Sequence, residues 1–257
     1  MPTLEVDGVR LHYEQAGAGE AIVLLHGFTS SYVENWVETG WVRRLLQEGF
    51  QVVGLDVRGH GRSAKLYAPA GYETSVLAGD VVALLDRLRI DRAHAVGFSM
   101  GAGIALQLAM EHPARVGAVV VAGIGDKALR GLHDAGEISE IAAALKEGAE
   151  KTRAGPLARR IRRNAERAGN DAAALVAFFE RGGWPGDLTA VGDITAPVLV
   201  VLAERDEFMP TADELLRRIP ARLATLEDCG HAAAARDPRF LELALSFIRE
   251  HRLLKGH

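Results

Sequence analysis

Gly97-Phe98-Ser99-Met100-Gly101 is the stretch on which the fold of this chain turns. It is a G-x-S-x-G pentapeptide, with a strand pattern before it (Ala93 to Val96) and a helix pattern after it (Ala102 to Glu111). A serine on a sharp strand-to-helix turn has a strained backbone that exposes its Oγ. Such a turn brings the residues two before and two after almost into contact. Both must be small, and Gly97 and Gly101 meet that demand. The five letters alone occur by chance in many proteins; between a buried strand and a helix they mark a nucleophilic serine.

The 257 residues suit a single α/β domain and are ample to bury a core. Apolar residues at 48% and charged residues at 25% fall in the soluble globular range. A net charge of −4 argues against a nucleic-acid binder. Cys229 is the one cysteine, which excludes an intramolecular disulfide and fits a reducing compartment. Met1 to Asp7 lacks the basic start and apolar core of a signal peptide. The longest apolar runs, such as Ala118 to Ala122 and Val198 to Ala203, are far short of a membrane span. A soluble, cytoplasmic protein with no nucleic-acid or membrane partner is expected.

Short apolar runs alternate with longer helical patterns. Thr3 to Val6 and Leu11 to Gln15 read as two early strands around Asp7-Gly8. Ala21 to Leu25 and Val52 to Leu55 are near-continuous apolar runs, as in strands buried on both faces. Ala93 to Val96, Val116 to Val121, Val198 to Leu202 and Leu223 to Leu226 continue the series. Helical patterns cover Val37 to Glu48, Ser75 to Leu88, Ala102 to Glu111, Thr211 to Ile219 and Pro238 to Arg252. The alternation predicts a mostly parallel sheet with helices on both faces. Residues 124 to 192 break the rhythm. They show no convincing strand and read as short helices, Ile138 to Thr152, Leu157 to Ala168 and Asp171 to Arg181, an excursion from the sheet.

An activated serine needs a base to take its proton and an acid to orient that base. The best base is His231, in Asp228-Cys229-Gly230-His231, between the last strand and the last helix. That places it at the C-terminal edge of the sheet, where open α/β sheets form their sites. The best acid is Asp206, just past the strand Val198 to Leu202. Glu204 and Glu207 are rivals close by, and Asp126, past the preceding strand, is a rival seat. Attack on a carbonyl also requires two N–H groups aimed at the developing oxyanion. Met100 N–H, at the start of the following helix, supplies one. Phe28 N–H, in His26-Gly27-Phe28-Thr29, supplies the other.

With these residues in place the chain resembles the α/β-hydrolase fold superfamily over nearly its whole length. The matches stand in order: His26-Gly27-Phe28, Asp56-Val57-Arg58-Gly59-His60-Gly61-Arg62-Ser63, Gly97-Phe98-Ser99-Met100-Gly101, then Asp206 and Gly230-His231. The resemblance implies an eight-stranded, mostly parallel sheet with a small helical cap inserted after the sixth strand. The core would be residues 1–123 and 193–257, and the cap 124–192. It also implies a Ser99–His231–Asp206 triad and an oxyanion hole from Phe28 and Met100. The loop beginning at Asp56 is mainly structural in such proteins. Haloalkane dehalogenases and epoxide hydrolases of this superfamily carry aspartate at the elbow, so Ser99 argues against both.

The expected reaction is hydrolysis of a small to medium carboxylic ester through an acyl-enzyme. The alternatives are a lactonase, a cofactor-free perhydrolase, a C–C bond hydrolase, or a binding protein with residual hydrolysis. The expected partner is a small-molecule ester, with no metal or organic cofactor, since one cysteine and scattered histidines offer no zinc spacing. In the cap, Phe178, Phe179 and Trp184 are candidate pocket residues, with packing of the cap onto the sheet as the other reading. Arg159, Arg160, Arg162 and Arg163 read as a solvated face, given Glu147, Glu150 and Glu166 nearby. Attraction of an anionic substrate is the alternative.

Overall fold

A computed structural model describes residues 2–129, 135–147, 155–180, 188 and 190–253. The strands are β1 (Thr3–Val6), β2 (Val9–Ala16), β3 (Ala21–Leu25), β4 (Gln51–Leu55), β5 (Ala93–Phe98), β6 (Val116–Ala122), β7 (Val198–Ala203) and β8 (Ala221–Leu226). They form one sheet in the order β1-β2-β4-β3-β5-β6-β7-β8. β1 pairs antiparallel with β2, and β2 antiparallel with β4; every other pairing is parallel.

The helices among the described residues are α1 (Trp41–Gln47), α2 (Thr74–Arg87), α3 (Met100–Glu111), α4 (Asp126–Leu129), α5 (Ala135–Glu147), α6 (Pro156–Arg167), α7 (Ala172–Glu180), α8 (Asp213–Arg218), α9 (His231–Ala234) and α10 (Pro238–Glu250). The described residues between β6 and β7 carry α4 to α7 and no strand. None of the described helices is long and apolar enough to cross a membrane.

The near-continuous apolar runs of the central strands have a direct cause. Side chains alternate between faces, and both faces are covered. Ile22, Leu24, Val96, Val120 and Val201 pack with Trp36, Trp41, Leu45 and Phe240, on the side of α1 and α10. Val23, Leu25, Ala95, Val119 and Val200 pack with Leu77, Val81, Ile104 and Leu108, on the side of α2 and α3. Burying each of the Val, Leu, Ile and Phe side chains among them contributes about 1.5–3 kcal/mol. Leu145, Leu175, Phe178 and Phe179 join the second core, so the helices after β6 share apolar packing with the sheet layer.

The helix expected over Val37 to Glu48 is divided. Val33–Val37 forms a π-helical turn, Gly40 takes φ +83°, and the α-helix starts only at Trp41. The break lets Trp36 and Trp41 both point inward. Their rings meet edge to face at 4.9 Å, and Trp41 meets Phe240 at 4.8 Å. The last helix starts where the sequence marks it: Pro238 occupies its first turn and the Asp237 carboxylate accepts the Arg239 N–H.

The loop after β4 is held by its own charged residues. Asp56 Oδ1 accepts the Tyr32 N–H at 2.9 Å, and Oδ2 accepts the Arg62 N–H at 2.8 Å. Arg58 forks onto Asp80 of α2, with Nε and a terminal nitrogen at 2.6 and 2.7 Å from the two carboxylate oxygens. Both side chains are buried. Asp80→Ala leaves an unpaired buried guanidinium, and equilibrium urea unfolding should register a loss of about 3–5 kcal/mol. A loss below about 1 kcal/mol, the range of an exposed pair, would contradict this role.

Candidate active site

β3, β5, β6, β7 and β8 run parallel, so the loops that follow them gather at one edge of the sheet. Ser99 lies at the centre of that edge, between β5 and α3, with φ +52° and ψ −113°. That conformation is costly for a residue with a Cβ. Its N–H donates to Ala122 O at 2.8 Å, which ties the turn to β6. The flanking glycines have no substitute. A Cβ on Gly97 would lie 2.2 Å from Gly101 O, and a Cβ on Gly101 would lie 2.0 Å from Leu25 O.

Ser99 Oγ is 3.0 Å from His231 Nε2, and His231 Nδ1 is 2.8 Å from Asp206 Oδ2. A carboxylate facing Nδ1 keeps the ring proton there and leaves Nε2 as the acceptor toward the serine. The other Asp206 oxygen accepts the Phe208 and Met209 N–H groups at 2.9 and 2.8 Å. Burial pushes the Asp206 carboxyl up. The hydrogen bond and charge of His231, with those two backbone N–H groups, outweigh burial and hold it below the usual carboxylate range. Phe98 and Phe208 flank the imidazole, with ring centroids at 5.2 and 4.7 Å.

The rival acids are engaged elsewhere. Asp126 Oδ1 accepts the Glu214 and Leu215 N–H groups, and its Oδ2 accepts the Thr211 hydroxyl, so it caps α8. Glu204 accepts the Asp228 N–H. Glu207 accepts the backbone N–H of His231 at 3.3 Å and does not bond its ring.

Beside the serine is a cavity of about 410 Å³, within the roughly 300–1,000 Å³ of small-molecule sites. Phe28, Met100, Phe178 and Phe179 line it with Ser99 and His231. Met100 opens α3, so its N–H lies at the start of that helix, directly after Ser99. Phe28 N–H makes no hydrogen bond to a described residue. Phe178 and Phe179 line the cavity and also pack on Phe28, at 5.2 and 4.7 Å. Trp184 lies outside the described residues. Arg160 departs from the expected solvated face: it lines the cavity, ion-pairs Glu207 and lies 5.0 Å over the Phe208 ring.

Three supporting residues escaped the sequence reading. Asn35 is buried and its Oδ1 accepts the Gly27 N–H at 3.0 Å, fixing the loop that carries Phe28. Asn170, after α6, donates to Thr29 O at 3.0 Å and accepts the Gly61 N–H at 2.9 Å. Gly123 has φ +66°, and a Cβ there would lie 2.9 Å from the His231 ring. Its signal was available: a glycine directly after a buried strand at the site edge.

Because folding lowers the Asp206 carboxyl, its stabilising effect is complete above the unfolded value of about 3.9. That effect is lost as pH falls through the lower folded value. Carbon-13 NMR titration should place the Asp206 midpoint below about 3.9, and His231→Ala, which leaves burial less opposed, should raise it. A wild-type midpoint above the unfolded value would contradict the hydrogen-bonded geometry.

The sequence profile described as alpha/beta hydrolase fold matches residues 20–182. Among curated proteins, the chain is similar to the dihydrolipoyllysine-residue acetyltransferase component of the acetoin cleaving system of Cupriavidus necator. The identity is 38% over 126 residues, which cover 48% of this chain and 32% of that relative. The match spans less than half the length of that protein and of the other curated relatives. Among solved structures, an N-acyl homoserine lactone degrading enzyme is 30% identical, with 96% of this chain and 100% of that one covered at a TM-score of 0.71. The enol-lactonase from Burkholderia xenovorans LB400 is 26% identical, with 96% and 100% covered at a TM-score of 0.74. Profile, sheet order and serine turn agree: the chain belongs to the alpha/beta hydrolase fold family.

Proposed function

We propose that this protein hydrolyses carboxylic esters of small to medium size through an acyl-enzyme on Ser99. The observation that carries this reading is the hydrogen-bonded line from Ser99 Oγ through His231 to Asp206, set beside a cavity of about 410 Å³. His231 Nε2 takes the Ser99 proton as Oγ attacks the carbonyl carbon. Negative charge then builds on the carbonyl oxygen, and the Phe28 and Met100 N–H groups receive it. Each donor of this kind supplies about 3 kcal/mol of transition-state stabilisation. His231 next passes its proton to the leaving alcohol, which breaks the C–O bond and leaves the acyl group on Ser99. Water, deprotonated by His231, attacks the acyl carbon and releases the acid. Asp206 holds the imidazole tautomer and stabilises its cationic form in both halves. The cap expected over 124–192 is represented at the cavity by α6 and α7, whose Ile161, Phe178 and Phe179 line it.

A lactone is a cyclic ester, and the same steps open it. Two structures similar along their whole length carry lactone-cleaving names, which supports including lactones within the substrate range. A serine at the elbow, in place of a carboxylate, favours acyl transfer over the epoxide chemistry named for several partial relatives.

Wild-type protein should hydrolyse p-nitrophenyl acetate and butyrate, and Ser99→Ala should abolish that turnover. Asp206→Asn should lower kcat by about 10⁴-fold, as in the serine-protease case. Steady-state kinetics on the purified variants decides it. A folded wild type without ester turnover, or a Ser99→Ala variant that keeps it, would overturn the reading.

A further inference from the structure

The charged rim of the cavity takes no part in the steps above. Arg160 and Arg167 of α6, Arg236 just after α9, and Glu34 all line it. On a chain with net charge −4 this is a local excess of cations. The three arginines are not equivalent. Arg160 is already paired with Glu207 and stacked on Phe208. Arg167 approaches Glu34 only to 3.8 Å and is 64% exposed. Arg236 makes no ion pair among the described residues and acts on Glu34 only through space. Two guanidiniums from separate segments thus converge on one carboxylate from a third. Burial pushes that Glu34 carboxyl up, against the pull of Arg167, the Ser30 hydroxyl and Arg236.

Among the described residues the Arg167 and Arg236 side chains donate no hydrogen bond, and a guanidinium matches a carboxylate bidentately. The same cavity is lined by Phe28, Ile161, Phe178 and Phe179 as well as by Ser99. We infer that the ester accepted here carries a carboxylate on the arm remote from the scissile bond, and that Arg167 and Arg236 receive it. The inference rests on the ester-hydrolase reading for the reaction, while the recognition of the anion stands on the rim itself. Glu34 is the internal counter-ion that the substrate carboxylate joins or displaces.

The test compares p-nitrophenyl hemiglutarate with p-nitrophenyl valerate, which has a similar acyl length and no charge. The readout is the ratio of their kcat/KM values. Arg236→Gln should lower the anionic-to-neutral ratio about tenfold, the effect of losing one charge-assisted contact. Arg167→Gln should lower it in the same direction, Glu34→Gln should raise it, and Arg236→Lys should recover part of it. Added salt should lower the wild-type ratio. Valerate turnover with a ratio unmoved by Arg236→Gln and Arg167→Gln would overturn this inference and leave the ester reading intact. If neither ester is turned over, the ester reading fails, and calorimetry with glutarate decides the rim separately. Binding by wild type that Arg236→Gln abolishes upholds anion recognition; no binding by wild type overturns it.

Discussion

The backbone at Ser99 is the constraint on which the rest of the site depends. A residue with a Cβ at φ +52° stores on the order of 1–3 kcal/mol, and it persists only where the surroundings over-determine it. Three features do so here. Gly97 and Gly101 allow β5, α3 and the end of β3 to meet at distances that no side chain could share. The Ser99 N–H is fixed on Ala122 O. The strand before the turn is buried along its whole length, so the strain cannot relax by shifting the strand.

From that fixed point the other groups follow from topology. β7 and β8 lie beyond β6 in the same parallel array, so the loops bearing Asp206 and His231 end beside the serine turn. The distance from Oγ to Nε2 then depends on small clearances. Gly123 leaves room for the imidazole, and Phe98 and Phe208 limit its tilt. Asp206 spends one oxygen on the ring and the other on two backbone N–H groups, so its own loop is rigid. On the far side of the serine, Asn35 does for the Phe28 loop what Asp206 does for its own.

The parts of this arrangement written locally were legible in the sequence. The elbow, the strand alternation and the histidine after the last strand are each marked within a few residues. The acid was less so, because Asp206 and Asp126 both follow a strand at the same edge. Only the start of α8, which Asp126 caps, separates them. Asn35 and Asn170 were not legible, since their partners are backbone groups in distant loops and an asparagine in a turn has many ordinary uses. In the sequence Arg159, Arg160, Arg162 and Arg163 form one basic cluster, and linear order hides their geometry. Arg160, Ile161, Asn164 and Arg167 form a stripe at helical spacing, and that stripe lines the cavity, while Arg162 bonds Glu166 and Leu145 O. Arg236 is close to His231 in sequence, and only the structure puts it on the same cavity as the α6 stripe.

The proposed chemistry requires Ser99 Oγ to act as the nucleophile, with His231 taking its proton. Treatment with an alkyl fluorophosphonate followed by peptide mass spectrometry tests this without reference to any substrate. The predicted result is a single phosphonyl adduct on Ser99 in the wild type, and none in His231→Ala after the same exposure. An unlabelled wild type, an adduct on another residue, or equal labelling without His231 would contradict it.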